Sequence, residues 1–192
     1  MHEDHKRIAD MCISCGRSVY GEKAPNEQYA MRAAKLLFMT VAHESNHFQA
    51  RRQYGLPLFP TCDKLHGLSR NYYIGAFGLW QCEMASMQTS LFWLAVHPIV
   101  GQKAQAWLEK QGDKRGIVDR EIYDVLHDVQ YESGDPLSCI LSRVHYLRVK
   151  APIPATISDM AKYAKVYYNT MAGKAKPINY EKAFRKYWPY GD

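Results

Sequence analysis

The sequence predicts an all-α fold, mainly helical with one small β-like, glycine-bearing segment. Three observations carry that expectation. Apolar residues recur at three- and four-residue spacing through most of the chain. Most glycines and prolines fall between those stretches; Gly16 and Gly101 are the glycines inside them. A single aromatic, glycine-bearing segment, Asn71 to Cys82, departs from the helical pattern.

Taken in order, a first helix is expected from His5 to about Ser18, ending near Gly21. The second has the clearest period. From about Asn26 to His47, Ala30, Ala33, Leu37, Val41 and Phe48 form one stripe, widened by Ala34 and Phe38. Irregular chain follows, marked by Gly55, Pro57, Pro60 and Gly67. Helices are then expected over Ser86 to Val96 and Val100 to Gln111, separated at Pro98. Gly112 to Gly116 forms a turn, and Val118 to Tyr131 returns to helix. Asp135-Pro136 reads as N-cap and first turn of a helix to about Val149. Pro152 and Pro154 break the chain, Ser158 caps a helix through Tyr168, and a short helix from Tyr180 to Trp188 closes it. With no repeat, low-complexity tract or linker, residues 1–192 are expected to form a single domain.

Composition narrows the classes. An apolar share of 47% argues against disorder. No apolar run approaches the roughly 20 residues needed to span a bilayer, so no membrane partner is expected. Met1 to Arg7 is charged and lacks the apolar block of a signal peptide after it. The formal charge of +6 suits an anionic partner. It is spread without a run of five basic residues, which favours a carboxylate-bearing polymer at least as much as nucleic acid. Five cysteines cannot all pair, and Cys12 and Cys15, a C-x-x-C, share a helix face. They read as buried thiols, with half a zinc knuckle or a redox pair as alternatives.

Glu44 is where two chemistries overlap. Val41 and Leu37 lie three and seven residues before it and Phe48 four after, so the carboxyl points toward the core side at a helix C-terminus. Burial and the negative helix end both oppose a charge there, which suits a group that must donate a proton. Pairing with Arg51 or Arg52 is the bland alternative. His43-Glu44-Ser45-Asn46-His47 is also H-E-x-x-H, the helical zinc pattern of metallopeptidases, with His43 and His47 as ligands. That reading needs a third ligand, and His66, Glu83 and His97 are the candidates. Trp93, Trp107 and Trp188 sit in apolar helical patterns and read as core.

The stretch His43 to Gln53, His-Glu-Ser-x-x-Phe-x-x-Arg-Arg-Gln, followed by Gly75 to Glu83, Gly-Ala-Phe-Gly-Leu-Trp-Gln-Cys-Glu, resembles phage lysozyme-like proteins. It is also similar to the Glu-Ser … Gly-x-x-Gly-Leu-x-Gln pattern of soluble lytic transglycosylases and goose-type lysozymes. Arg143 to Arg148, Tyr167 to Thr170 and Gly173-Lys174 extend the resemblance, which spans about Leu36 to Lys174. It implies a lysozyme-like fold and a muramidase that needs no cofactor or metal. Glu44 would be the catalytic acid/base, while Ser45, Gly75, Gly78, Trp80, Gln81 and Tyr168 would contact substrate. The glycines would admit the glycan, Trp80 would offer a stacking face and Gln81 an amide. Tyr168 would stand near the acid. Glu83 or Asp63 would be the second carboxylate if the reaction is hydrolysis. Glu44 and Gln81 lie further apart than in the compact transglycosylase pattern, which implies an insertion around Leu56 to Asn71 beside the cleft.

The implied partners are peptidoglycan glycan strands and other virion proteins, with no nucleic acid. The implied location is a phage virion, or the host cytoplasm before release to the periplasm. A virion structural or ejection protein that keeps the fold without cleaving glycan is the third expectation.

Overall fold

The computed structural model describes residues 2–21, 25–51, 76–169 and 174–191. Asn26 opens the helix that organises them: its side chain accepts a hydrogen bond from the Tyr29 N–H at 2.8 Å, capping α2 (Glu27–Glu44). From Leu36 to Ala42 every residue of α2 is buried. The apolar stripe expected from the sequence is therefore only part of its contact surface. Such a helix is the axis of a core.

Around it pack α1 (His2–Ser18), α6 (Asp135–Leu147), α7 (Ile157–Tyr167) and α8 (Pro177–Tyr187). α1 comes closest because Gly16 faces Ala30 and Ala34. A side-chain carbon at Gly16 would lie 2.7 Å from the Ala30 carbonyl oxygen. Among the described residues, α3 (Met84–Val96), α4 (Pro98–Lys110) and α5 (Ile122–Asp128) complete the helical set, with a 3₁₀ turn at Glu132–Gly134. The β-like segment is a two-stranded antiparallel ribbon, β1 (Ala76–Phe77) and β2 (Cys82–Glu83), paired Ala76 to Glu83 and Phe77 to Cys82. Among the described residues the architecture is all-α apart from this ribbon, and one contiguous apolar cluster draws on every one of these helices.

Several boundaries differ from the sequence reading. α2 stops at Glu44, because Asn46, His47 and Phe48 take φ values of 49°, 63° and 68°. Three successive side-chain-bearing residues in the left-handed region cost about 1–2 kcal/mol each. Ser45 holds them: its Oγ accepts from the Phe48 N–H and its carbonyl oxygen from the Ala50 N–H at 2.8 Å. The helix expected over Val118 to Tyr131 shrinks to Ile122–Asp128. Asp135 is not an N-cap; Gly134 takes that place, and Asp135 sits fully buried inside the first turn of α6. There it accepts two hydrogen bonds from Arg51, both at 2.8 Å, and one from Arg7 at 3.2 Å. Thr156, rather than Ser158, caps α7 through the Asp159 N–H.

Cys12, Cys15, Cys82 and Cys139 are free and buried, and burial pushes each thiol up from its ordinary pKa. Trp107 is core, its indole N–H donating to Ser14 Oγ, whereas Trp93 and Trp188 are only partly buried. Among the described residues no helix is long and apolar enough to cross a membrane. Asp63, His66, Gly75 and the insertion from Leu56 to Asn71 lie outside the described residues.

Candidate active site

The end of α2, the ribbon, the start of α3 and the end of α7 enclose a pocket of about 480 Å³. Glu44, Asn46, Gln81, Glu83, His145 and Tyr168 are among its lining residues. Glu44 is half-buried. Its Oε1 accepts two hydrogen bonds, one from the Asn169 amide at 3.1 Å and a very short one from the Tyr180 hydroxyl. Lys165 Nζ donates to Asn169 Oδ1 at 3.2 Å, which turns the amide nitrogen toward Glu44. Burial, reinforced by the neighbouring carboxylate, drives the Tyr180 hydroxyl far above its usual pKa and keeps it a donor. Oε2 has no hydrogen-bond partner among the described residues. Among the described residues, the carboxyl is thus held through one oxygen only. Arg51 is committed to Asp135 rather than to Glu44, and Arg52 lies outside the described residues.

Within the Gly-rich turn, Gly78 and Trp80 face the core rather than the pocket. Trp80 is completely buried, and its indole N–H donates to the Leu37 carbonyl at 3.0 Å, so it offers no stacking face to a ligand. Full burial of such a ring stabilises the fold by about 4 kcal/mol. Gly78, at φ 73°, faces α6: a side-chain carbon there would come within 2.4 Å of Ser138 Oγ. Its glycine is needed for packing against the core, not for approach of a glycan. Gln81 does line the pocket, yet its amide nitrogen already donates to the Gly78 carbonyl at 2.8 Å and the Ala50 carbonyl at 3.2 Å. Ser45 is buried, with its hydroxyl donating back to the Val41 carbonyl, and so serves the chain reversal rather than a substrate.

Tyr168 also departs from expectation. Its ring borders the pocket, but its hydroxyl donates to the Trp80 carbonyl at 2.7 Å and lies 2.7 Å from Ser142 Oγ and 2.8 Å from Cys82 Sγ. Burial raises its pKa well above the usual value. Tyr180, not Tyr168, is the tyrosine that bonds Glu44. Nothing in the sequence marked it: the helix expected from Tyr180 starts earlier, at Pro177, and Tyr180 reaches Glu44 only through the packing of α8 on α2. His145 was likewise missed. Its Nε2–H donates to the Tyr167 carbonyl at 2.6 Å, leaving Nδ1 to accept from the Ser86 hydroxyl at 2.9 Å. Burial lowers its pKa, consistent with this neutral tautomer.

The H-E-x-x-H reading loses its geometric basis. His47 lies beyond the helix, at positive φ, so the two histidines are not stacked one turn apart on α2. His43 packs on Tyr180 and His47 on Tyr187, with ring centroids at 4.1 Å and 4.9 Å. Among the described residues, no group of three or more His, Cys, Asp or Glu side chains is placed to hold a metal ion. His97 stacks on Trp93 instead, and Glu83 borders the Glu44 pocket.

No protein-family model, curated protein or solved structure matches this chain at a significant level.

Proposed function

We propose that this chain is a peptidoglycan muramidase with a lysozyme-like fold, cleaving the β-1,4 bond between N-acetylmuramic acid and N-acetylglucosamine. The observation that carries the reading is Glu44 itself: a carboxyl at a helix end, open to a pocket, held through one oxygen by Tyr180 and Asn169. In support, Gln81 and Tyr168, chosen from sequence resemblance and distant along the chain, border the same pocket.

Glu44 donates its proton to the glycosidic oxygen as the bond to C1 of the muramyl residue breaks. The resulting carboxylate then acts as base. In the transglycosylase outcome it removes the proton from the muramyl 6-hydroxyl, whose oxygen closes on C1 to give an anhydro sugar. In the hydrolytic outcome it activates a water, and a second carboxylate positions that water. Glu83, exposed at the pocket edge, is the candidate for this role. The glycan strand is the substrate, no cofactor enters the reaction, and assembly into a virion remains compatible with it.

The test is turbidity clearing of permeabilised Gram-negative cells by the chain and its Glu44→Gln variant, with mass spectrometry of released fragments. Glu44→Gln is expected to lower the rate by roughly 10²–10⁴-fold, the usual range for general acid–base catalysis. A variant within a few-fold of the parent ends the acid/base assignment. Fragments lighter by one water identify transglycosylation.

A further inference from the structure

A second hollow, of about 340 Å³, opens on the other side of the turn that follows Glu44. It is lined by His43, Asn46, His47, Asn179, Lys182, Lys186 and two α8 neighbours, Ala183 and Tyr187. No carboxylate is among these residues, and neither lysine has an ion-pair partner among the described residues. Lys182 and Lys186 lie one turn apart on α8 and present their ammonium groups from the same face. Lys186 Nζ stands 4.9 Å from the centre of the Tyr187 ring, a cation–π contact that restrains it.

Two features tie this hollow to the acid. Asn46 borders both cavities, so they meet at one residue. His43, which lines the hollow, packs on the ring of Tyr180, whose hydroxyl holds Glu44. A ligand seated against Glu44 and branched on the Asn46 side would extend its branch between the two lysines.

We propose that this hollow binds the carboxylate-bearing peptide branch of the glycan substrate, with Lys182 and Lys186 as the charged contacts and the Asn46 and Asn179 amides as neutral ones. The assignment rests on the muramidase reading, since it is the muramyl residue that carries such a branch. Attachment in cis favours peptide carboxylates over a free anion: the sugar in the Glu44 pocket raises the branch's effective concentration at the lysines.

The test uses the full chain carrying Glu44→Gln, so that ligand is not consumed, titrated calorimetrically with three probes. They are a muramyl glycan bearing its tetrapeptide, the same glycan stripped of peptide, and a glycerol-phosphate oligomer. The peptide-bearing glycan is expected to bind at least about tenfold more tightly than the stripped one. Lys182→Gln with Lys186→Gln removes that difference and leaves stripped-glycan affinity unchanged. The advantage also shrinks as salt rises. Equal affinity for both glycans overturns the inference while leaving the muramidase reading standing. Tighter lysine-dependent binding of the phosphate oligomer than of the peptide-bearing glycan overturns the choice of ligand. Failure of both glycans to bind overturns both readings together.

Discussion

The Glu44 corner and the Gly78–Trp80 turn were both marked by the same resemblance, yet they face opposite ways. At the corner, α2, α8 and the end of α7 bring Glu44, Tyr180 and Asn169 together beside open space. At the turn, Gly78, Leu79 and Trp80 sink into the core against α6 and α2. Polar groups at the corner are arranged around one carboxyl, whereas those at the turn are used by the backbone. One sequence motif can therefore supply two unlike regions: some of its residues border open space, and others hold the wall in place. Arg51 joins the two regions. Its guanidinium grips Asp135, and its carbonyl oxygen accepts the Gly78 N–H at 2.8 Å.

The widest effect is expected from Gly78→Val. Overpacking against Ser138 and Val129 and a side chain at φ 73° together cost about 4 kcal/mol. Urea unfolding should show the loss. An unchanged midpoint with weakened glycan binding would place the turn on the cleft after all.

Arg51→Met attacks the joint between the regions. It leaves the buried Asp135 with only Arg7, and should cost about 3 kcal/mol, the low end for breaking a buried pair. Adding Asp135→Leu should recover much of that loss, since it removes the buried charge and leaves the partly exposed Arg7 paired with Glu132. A single-variant loss below about 1 kcal/mol would mean that the pair contributes little.

Tyr180→Phe probes the corner alone. Removing one donor to Glu44 should lower kcat about tenfold, equivalent to roughly 1.4 kcal/mol, while KM changes little. The hydroxyl touches Glu44 rather than a ligand-facing surface. Loss confined to KM would make Tyr180 a substrate contact instead.

Gln81→Ala gives the smallest change and separates the regions most finely. Two hydrogen bonds to backbone carbonyls disappear, so about 1 kcal/mol of stability should go. Glycan affinity should be affected less than the melting temperature. The reverse pattern would return Gln81 to the role that the motif implied.

Periodicity and punctuation were enough to determine a helical chain, a start for α2 near Asn26, the apolar body of α2 and the position of Glu44 near its end. These properties follow from local spacing, because 3.6 residues per turn convert sequence intervals directly into faces. The thiols of Cys12 and Cys15 were legible as buried for the same reason. Orientation beyond a helix end was not legible. The positive φ values of Asn46, His47 and Phe48 are stabilised by Ser45 and by contacts such as Phe48 on Phe38, so H-E-x-x-H could not be recognised as non-helical from spacing. Tyr180 and Asn169 reach Glu44 only through long-range packing. Trp80 was assigned to a surface because an indole suits a sugar face and a core equally well. Its buried bond to the Leu37 carbonyl decided the matter, since which way a turn's side chains point depends on the elements that close over it.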